Sequence, residues 1–363
     1  MALKKNVLLI INSDLVNAGV PNVVMQTVRE LSDRFSFDVL TYHSKDGEYD
    51  SEFLSYGGKI YKLSLLEYKN HKLTFPLRYF QIKKKIKRIL KEKKYDVIHC
   101  HNGVESGIFL KYASAAGVPV RISHAHGTYT RGGSNKLLLW YHSLAKRLIR
   151  KNATELLACS TEAGRSLFCD AEFKNVLNPV VNYYTGERVE HNGCNLLQIG
   201  YFCKNKNQLF SIKLLKSLLL VGVDARLSFI GFPNEDGYYE KMLELIDELS
   251  LGDRVEFLPH NADKAGAFSL ADAVLMPSFT EGLPIVALES QLARVECILS
   301  DRISRDADVG LAVFKEYGNE AAWRDAVIEI YKRKNVPPEI NINTELIERG
   351  GWCNRIGAIY NEE

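Results

Sequence analysis

Two glutamates eight positions apart, Glu281 and Glu289, lie in the stretch Pro277-Ser-Phe-Thr-Glu-Gly-Leu-Pro-Ile-Val-Ala-Leu-Glu289 of this 363-residue chain. An apolar run ending at Met276 reads as a strand, and the residues after Pro284 read as a helix. The first amides of a helix have no partner within it, and proline is tolerated there because its missing donor would be unpaired anyway. Such an end suits an anion, phosphate in particular. Two carboxylates beside a bare phosphate would be odd, but carboxylates bind sugar or ribose hydroxyls well. A solvated loop glutamate plus a glutamate on a helix face fits the spacing equally.

A second candidate is Leu197-Gln-Ile-Gly200-Tyr-Phe-Cys-Lys204-Asn-Lys206-Asn-Gln208. Here a strand meets a glycine, and a short basic stretch opens a helix. A lysine at that point can pair with a diphosphate; an ordinary loop with surface lysines reads the same way. Histidines mark two further strand ends, in Asp96-Val-Ile-His99-Cys-His101 and Arg121-Ile-Ser-His124-Ala-His126-Gly127. His99 and His101 alternate along a strand and so share a face, but no third ligand is evident in the sequence and no metal is expected there.

Alternating strands and helices must position these residues. Strands are expected at Val7–Ile11, 37–42, 59–63, 96–99, 119–123 and 156–159, with helices after Gly19 and over 78–94, 103–116 and 161–168. The pattern restarts at Leu196–Ile199 and runs to a strand at 297–300, after the linker-like Asn178-Pro-Val-Val-Asn182. Repeated βαβ units imply parallel sheets covered by helices on both faces. The fold class is therefore α/β with two doubly wound domains, 1–178 and 179–344. An amphipathic segment at 345–363 (Leu346, Trp352, Ile356, Ile359, Tyr360) is expected to return to the first domain. In such sheets ligands bind beyond the C-terminal ends of the strands, where all four candidate segments fall.

Composition narrows the class. At 46% hydrophobic and 25% charged, the chain is that of an ordinary globular protein, and it has no apolar run of the length that spans a membrane. The apolar run Val7–Ile11 is short for a signal peptide, and seven scattered cysteines without a Cys-x-x-Cys pair fit free thiols in a reducing cytoplasm. The net charge of +3 hides an asymmetry. Residues 1–178 carry 28 Lys and Arg against 16 Asp and Glu, and the remainder carries 19 against 28. The basic helix at 82–94, with Lys146, Arg147, Arg150 and Lys151, suits an anionic bilayer surface. No nucleic-acid-binding module accompanies it, so nucleic acid is not an expected partner.

Together these segments resemble the retaining glycosyltransferases of family GT4, which have the two-domain GT-B fold. Glu281 and Glu289 match the family's E-x7-E motif, and Gly200 with Lys206-Asn207 matches its G-R-x(n)-K-N segment. The histidine segments and Ala158-Cys-Ser-Thr-Glu-Ala-Gly164 look like members that build bacterial capsular and exopolysaccharides. The resemblance covers nearly the whole chain and implies transfer of a sugar from a nucleotide-sugar, a UDP-sugar first, to a glycan acceptor that is lipid-linked at the inner face of the plasma membrane. It implies that Glu289 binds the ribose, that Glu281 and the amides of Gly282 and Leu283 meet sugar or phosphate, and that Lys206 neutralises the leaving diphosphate. His126 would approach the transferred sugar, and the loop at Gly19 would lie over the phosphates. No metal and no cofactor besides the donor are implied.

The sequence departs from the family pattern in three places. Tyr201 stands where Arg is usual, with Lys204 as a possible substitute. Leu292-Ala-Arg-Val-Glu296 lacks the glycine and proline of the turn after the second glutamate, and Ala18 replaces a common glycine. These changes keep two alternatives open: a non-catalytic GT-B subunit that activates a partner transferase, and a GT-B-fold sugar epimerase. Asp306-Ala-Asp308 copies the D-x-D signature of the other major transferase fold, but it lies in a polar loop after the E-x7-E helix and reads as a chance match.

Overall fold

The computed structural model describes residues 4–42, 46–63, 71–127, 136–186, 188–333 and 349–362. The chain divides into two compact units, Met1–Pro179 with Glu345–Glu363, and Val180–Thr344.

In the first unit the order is β1 (Lys5–Ile10), α1 (Gly19–Leu31), β2 (Phe35–Thr41), α2 (Asp50–Ser55), β3 (Ile60–Lys62), α3 (His71–Glu92) and β4 (Val97–Cys100). It continues with α4 (Ser106–Ala115), β5 (Val120–Ala125), α5 (Lys136–Asn152), β6 (Glu155–Ala158), α6 (Thr161–Phe168) and β7 (Lys174–Asn175). The strands form one sheet in the order β3-β2-β1-β4-β5-β6-β7, parallel throughout. Val7, Leu8, Leu9 and Ile10 are wholly buried, which explains why β1 is a continuous apolar run: a parallel sheet is covered on both faces. Ser160 starts α6 by accepting a hydrogen bond from the Ala163 amide at 3.1 Å.

The second unit runs β8 (Cys194–Ile199), α7 (Gln208–Leu220), β9 (Ala225–Ile230), α8 (Tyr238–Glu248), β10 (Val255–Leu258), α9 (Lys264–Leu270) and β11 (Ala273–Met276). Then come α10 (Ile285–Leu292), β12 (Glu296–Ser300), β13 (Ala312–Lys315) and α11 (Glu320–Lys332). Its sheet order is β10-β9-β8-β11-β12-β13, also parallel. Each sheet therefore reverses direction of growth once, between β1 and β4 and between β8 and β11. That reversal is where doubly wound sheets open a crevice for ligands.

The final helix, α12 (Arg349–Asn361), belongs to the first unit. Its Trp352, Ile356, Ile359 and Tyr360 join the core of β1, β2 and α1, and the Tyr360 ring meets Phe35 edge-on at 5.3 Å between centroids. Leu346 of the amphipathic segment lies outside the described residues. Sequence periodicity did not reveal α2, α5, β13 or α11. Short β13 is only half-buried, so it lacks the apolar run that marks the central strands.

The turn after α10 keeps its shape without the glycine. Arg294 takes a left-handed backbone, φ 62°; its amide donates to the Gln291 carbonyl at 3.0 Å, and the Val295 amide donates to Ser290 at 2.8 Å. This double closure ends a helix, and glycine is its preferred residue because a Cβ in that conformation is strained. Arg294→Gly is expected to stabilise the protein by about 0.5–1 kcal/mol, and Arg294→Val to destabilise it. Urea unfolding of both variants checks this.

Candidate functional site

The loops after β8 and β11 meet at the switch point of the second sheet and are stitched together. The Phe279 amide donates to the Asn205 carbonyl at 2.8 Å. The Asn205 side chain donates to the Thr280 carbonyl at 2.9 Å and accepts from the Thr280 amide at 3.2 Å. Across this seam the Lys206 ammonium sits 2.6 Å from Glu281 Oε1, with both side chains mostly buried. Gln198 holds the lysine's backbone, donating to its carbonyl at 2.8 Å while accepting from Ser211 Oγ at 2.7 Å. Asn207, just before α7, is left-handed at φ 54°, which asparagine tolerates better than most residues. Gly231, which follows β9, is required by proximity: a Cβ there would lie 2.1 Å from the Gly200 carbonyl oxygen.

Glu289 lies on α10 and is 4% exposed. Its carboxylate faces the Lys264 ammonium at 3.1 Å, and that ammonium also lies 5.6 Å from the centroid of the Tyr183 ring. The solvated helix-face glutamate left open by the sequence is thereby ruled out. Pro284 is the residue just outside α10 rather than in its first turn, so the loop amides at Gly282 and Leu283 precede the helix. Leu283 is buried and Gly282 partly so.

The departure at Tyr201 and its candidate substitute Lys204 both have a structural outcome. Tyr201 packs edge-on against Phe232, 4.8 Å between centroids. Lys204 does not replace the absent arginine: its ammonium pairs with Glu235 at 2.8 Å, and its amide donates to the same carboxylate at 2.9 Å. Lys206 is the basic residue of this loop that faces Glu281. Asp306 and Asp308 serve a turn. Ser304 Oγ accepts from the Asp306 amide at 3.1 Å, and Asp308 Oδ1 accepts from the Gly310 amide at 2.9 Å.

In the first unit Gly19 opens α1, and a Cβ there would meet no atom within 4 Å. His126 follows β5 but does not stand alone. Its Nε2 is 2.7 Å from His101 Nδ1, and its ring stacks on His124 at 4.1 Å between centroids. His99 lies 3.1 Å from His124, Nε2 to Nδ1, and 2.8 Å from the Tyr360 hydroxyl through its Nδ1. The three buried rings of His99, His101 and His124 and the half-buried ring of His126 thus form two hydrogen-bonded pairs stacked on each other. The third partner that the sequence did not reveal for His99 and His101 is His124, supplied by the neighbouring strand: β4 and β5 pair with His99 opposite Ile122. Lys264 and Tyr360 were missed for the same reason. Each comes from an element distant in sequence, and no local pattern announces it.

Burial holds all four histidines neutral. It lowers His99, His101 and His124 well below the ordinary value, their mutual repulsion as cations adding to the effect. His126 is brought down to about 4 by burial, with a hydrogen-bonding contribution from Asn178 in the opposite direction.

The comparisons with known proteins agree with these features. The family description "Glycosyltransferase Family 4" matches residues 18–172, and "Glycosyl transferases group 1" matches residues 189–345. Over 324 residues the chain is 30% identical to the glycosyltransferase EpsF of Bacillus subtilis (strain 168), covering 83% of this chain and 80% of the relative. It is 25% identical to the capsular polysaccharide biosynthesis glycosyltransferase CapH of Staphylococcus aureus, covering 85% and 86%. Among solved structures, HepE of Anabaena in complex with UDP and glucose superposes with a TM-score of 0.76 at 15% identity, covering 98% of this chain and 99% of that one. That likeness is one of fold, the pair of Rossmann-like parallel-sheet domains called GT-B. The chain belongs to the glycosyltransferases that join a family 4 region to a group 1 region.

The histidine cluster also sets a pH dependence. A group whose native pKa lies below its unfolded value stabilises the native state above the unfolded pKa, and this contribution is lost as pH falls toward the native one. The window for His126 therefore runs from about 6.5, the ordinary histidine value, down to about 4. Within it stability falls progressively with pH, because a histidine held neutral in the native state binds its proton only in the unfolded one. Urea unfolding at pH 7.5 and pH 5.5 is expected to show a marked loss of stability at the lower pH. A His126→Asn variant should lose less.

Proposed function

We propose that the protein transfers a sugar from a UDP-sugar to a lipid-linked glycan acceptor in the assembly of a capsular or extracellular polysaccharide. The observation that carries the reading is the Lys206–Glu281 pair at the switch point of the second sheet, with the buried Glu289 on the helix that follows. Glu289, held by Lys264, takes the ribose hydroxyls. Glu281 and the amides of Gly282 and Leu283 take the donor sugar and phosphate, and Gly200 leaves room for the backbone to approach. In this reading Lys206 exchanges its contact with Glu281 for the diphosphate and stabilises the charge that builds as that group leaves, a contribution that grows in the transition state. His126, neutral, contributes a hydrogen bond to the sugar, and the loop at Gly19 covers the phosphates. The nature of HepE's ligands supports UDP as the nucleotide, and CapH supports the polysaccharide product.

Retention follows from attack on the face the diphosphate leaves. The bond from the anomeric carbon to the phosphate oxygen breaks, the bond to the acceptor oxygen forms, and the acceptor's proton passes to the departing phosphate. Cations and amides of the chain meet the charge, so this step calls for no metal. A UDP-release assay across a panel of UDP-sugars tests the reading. Lys206→Ala is expected to lower kcat by about 100-fold or more, and Glu289→Ala to raise the donor KM about tenfold. Tight UDP binding with no turnover on any donor would instead assign a non-catalytic subunit.

In this reading the acceptor lies at the cytoplasmic face of the plasma membrane, and the surface of the first unit supports that. No helix among the described residues is long and apolar enough to cross a bilayer. On α3, Ile82, Ile86 and Ile89 are buried while Lys84, Lys87, Arg88 and Lys91 are exposed. Phe80 of α3 and Trp140 of α5 are each 60% exposed, and Arg147, Arg150 and Lys151 of α5 are exposed as well. Exposed aromatic rings among cations suit an anionic headgroup layer. Sedimentation with anionic vesicles is expected to pull down the protein, and Phe80→Ser with Trp140→Ser to weaken this. Added salt should release it, while UDP affinity changes much less.

A further inference from the structure

We propose that His99, His101 and His124 form a binding site for one divalent transition-metal ion of the zinc class. One ring nitrogen from each of the three lies within 4.8 Å of the other two. His99 Nε2 and His124 Nδ1 are already 3.1 Å apart. Two nitrogens bound tetrahedrally to one zinc stand about 3.4 Å apart, given metal–nitrogen bonds of about 2.1 Å. Both rings must turn so that their lone pairs converge on a shared ion instead of facing each other.

The cluster has more polar atoms than it satisfies. His101 Nε2 and His124 Nε2 are buried without a hydrogen-bond partner. A buried polar atom left alone is unfavourable, and two are concentrated on the rings proposed as ligands. The donor set names the class of ion. Imidazole nitrogens suit zinc, cobalt, nickel and copper, whereas magnesium and calcium need oxygen ligands, and the three ligands offer none. Cys100 lies between His99 and His101 in sequence, but alternation turns it to the opposite face of β4.

The second layer of contacts is also of the kind that metal sites use. A ligating histidine usually fixes its other nitrogen in a hydrogen bond, and His99 does so through Nδ1 to the Tyr360 hydroxyl at 2.8 Å. The proton balance closes, with His101 ligating through Nε2 and carrying its proton on Nδ1 toward His126 Nε2. In the metal-free cluster one proton lies between His99 Nε2 and His124 Nδ1; when an ion binds there, it moves to the outer nitrogen of the ring that carried it. That is His124 Nε2, or His99 Nδ1 with Tyr360 then accepting, and no proton is released. Because Tyr360 belongs to α12, an ion here would strengthen the seating of that helix on the first unit. All three ligands belong to the first unit, and the test reads metal content, so its failure is distinguishable from a failure of the transferase reading.

The test uses the full chain, expressed with zinc or cobalt in the medium because the site is fully enclosed. Metal content by elemental mass spectrometry is expected near one ion per chain, with visible d–d absorption in the cobalt form and a higher Tm for the zinc form than for chelator-treated protein. His124→Gln is expected to lose the ion, Tyr360→Phe to weaken binding about tenfold, and His260→Gln, in the second unit, to keep it. Circular dichroism and urea unfolding of each variant report that the fold is intact. Wild-type protein that carries no metal and shows no cobalt absorption would overturn the proposal, whatever the variants do. Undiminished metal in folded His124→Gln would overturn it as well.

Discussion

Strand order in the second sheet governs what the candidate donor site can be. Because β8 lies between β9 and β11, the chain leaves β8 in one direction and returns to its other side, and the loops after β8 and β11 emerge next to each other. Residues about 75 positions apart in sequence then share hydrogen bonds through Asn205 and Thr280. The Lys206–Glu281 contact exists because of this adjacency. A mostly buried ion pair is stable only when its geometry is good and its surroundings polar. The backbone bonds of the Asn205 seam and the Gln198–Lys206 bond supply both. The pair is therefore held in place by contacts from both loops.

The first unit solves a similar problem with a helix from the far end of the chain. α12 fills the face of the sheet beside β1 and β2 with Trp352, Ile356, Ile359 and Tyr360. The Tyr360 hydroxyl reaches the histidines at the end of β4. A buried tyrosine needs a partner for its hydroxyl, and His99 provides one; burial in turn keeps His99 neutral and able to accept or donate. Core packing and the chemistry of the histidine cluster are thus parts of one arrangement. Sequence distance hides this, because Tyr360 lies 261 residues from His99.

The departures from the family pattern show where a fold tolerates substitution. Loss of glycine after α10 leaves the helix end intact, since Arg294 adopts the left-handed backbone and both closing hydrogen bonds form. The cost is local strain of about 1 kcal/mol, which a core of this size carries. Replacement of arginine by Tyr201 is different in kind. It exchanges a cation for an aromatic contact with Phe232, and the neighbouring Lys204 is taken up by Glu235. Charge in this loop is consequently concentrated on Lys206.

Apolar runs, helical periodicity and turn residues determined the α/β class, the central strands and the boundary near residue 179, since these depend on neighbours in the chain. Motif spacing likewise located Gly200, Lys206 and Glu281 in loops after strands and Glu289 on the helix that follows. Edge elements such as β13, and α2, α5 and α11, escaped because half-burial or mixed polarity blurs their period. Only the tertiary structure decided which side chains face each other: Lys206 with Glu281, Lys264 with Glu289, and His99 with His124 and Tyr360. The physical reason is that a strand's sequence sets which face a residue occupies, whereas its partner across the sheet is set by strand order and register. Both are properties of the whole chain, and no local stretch contains them.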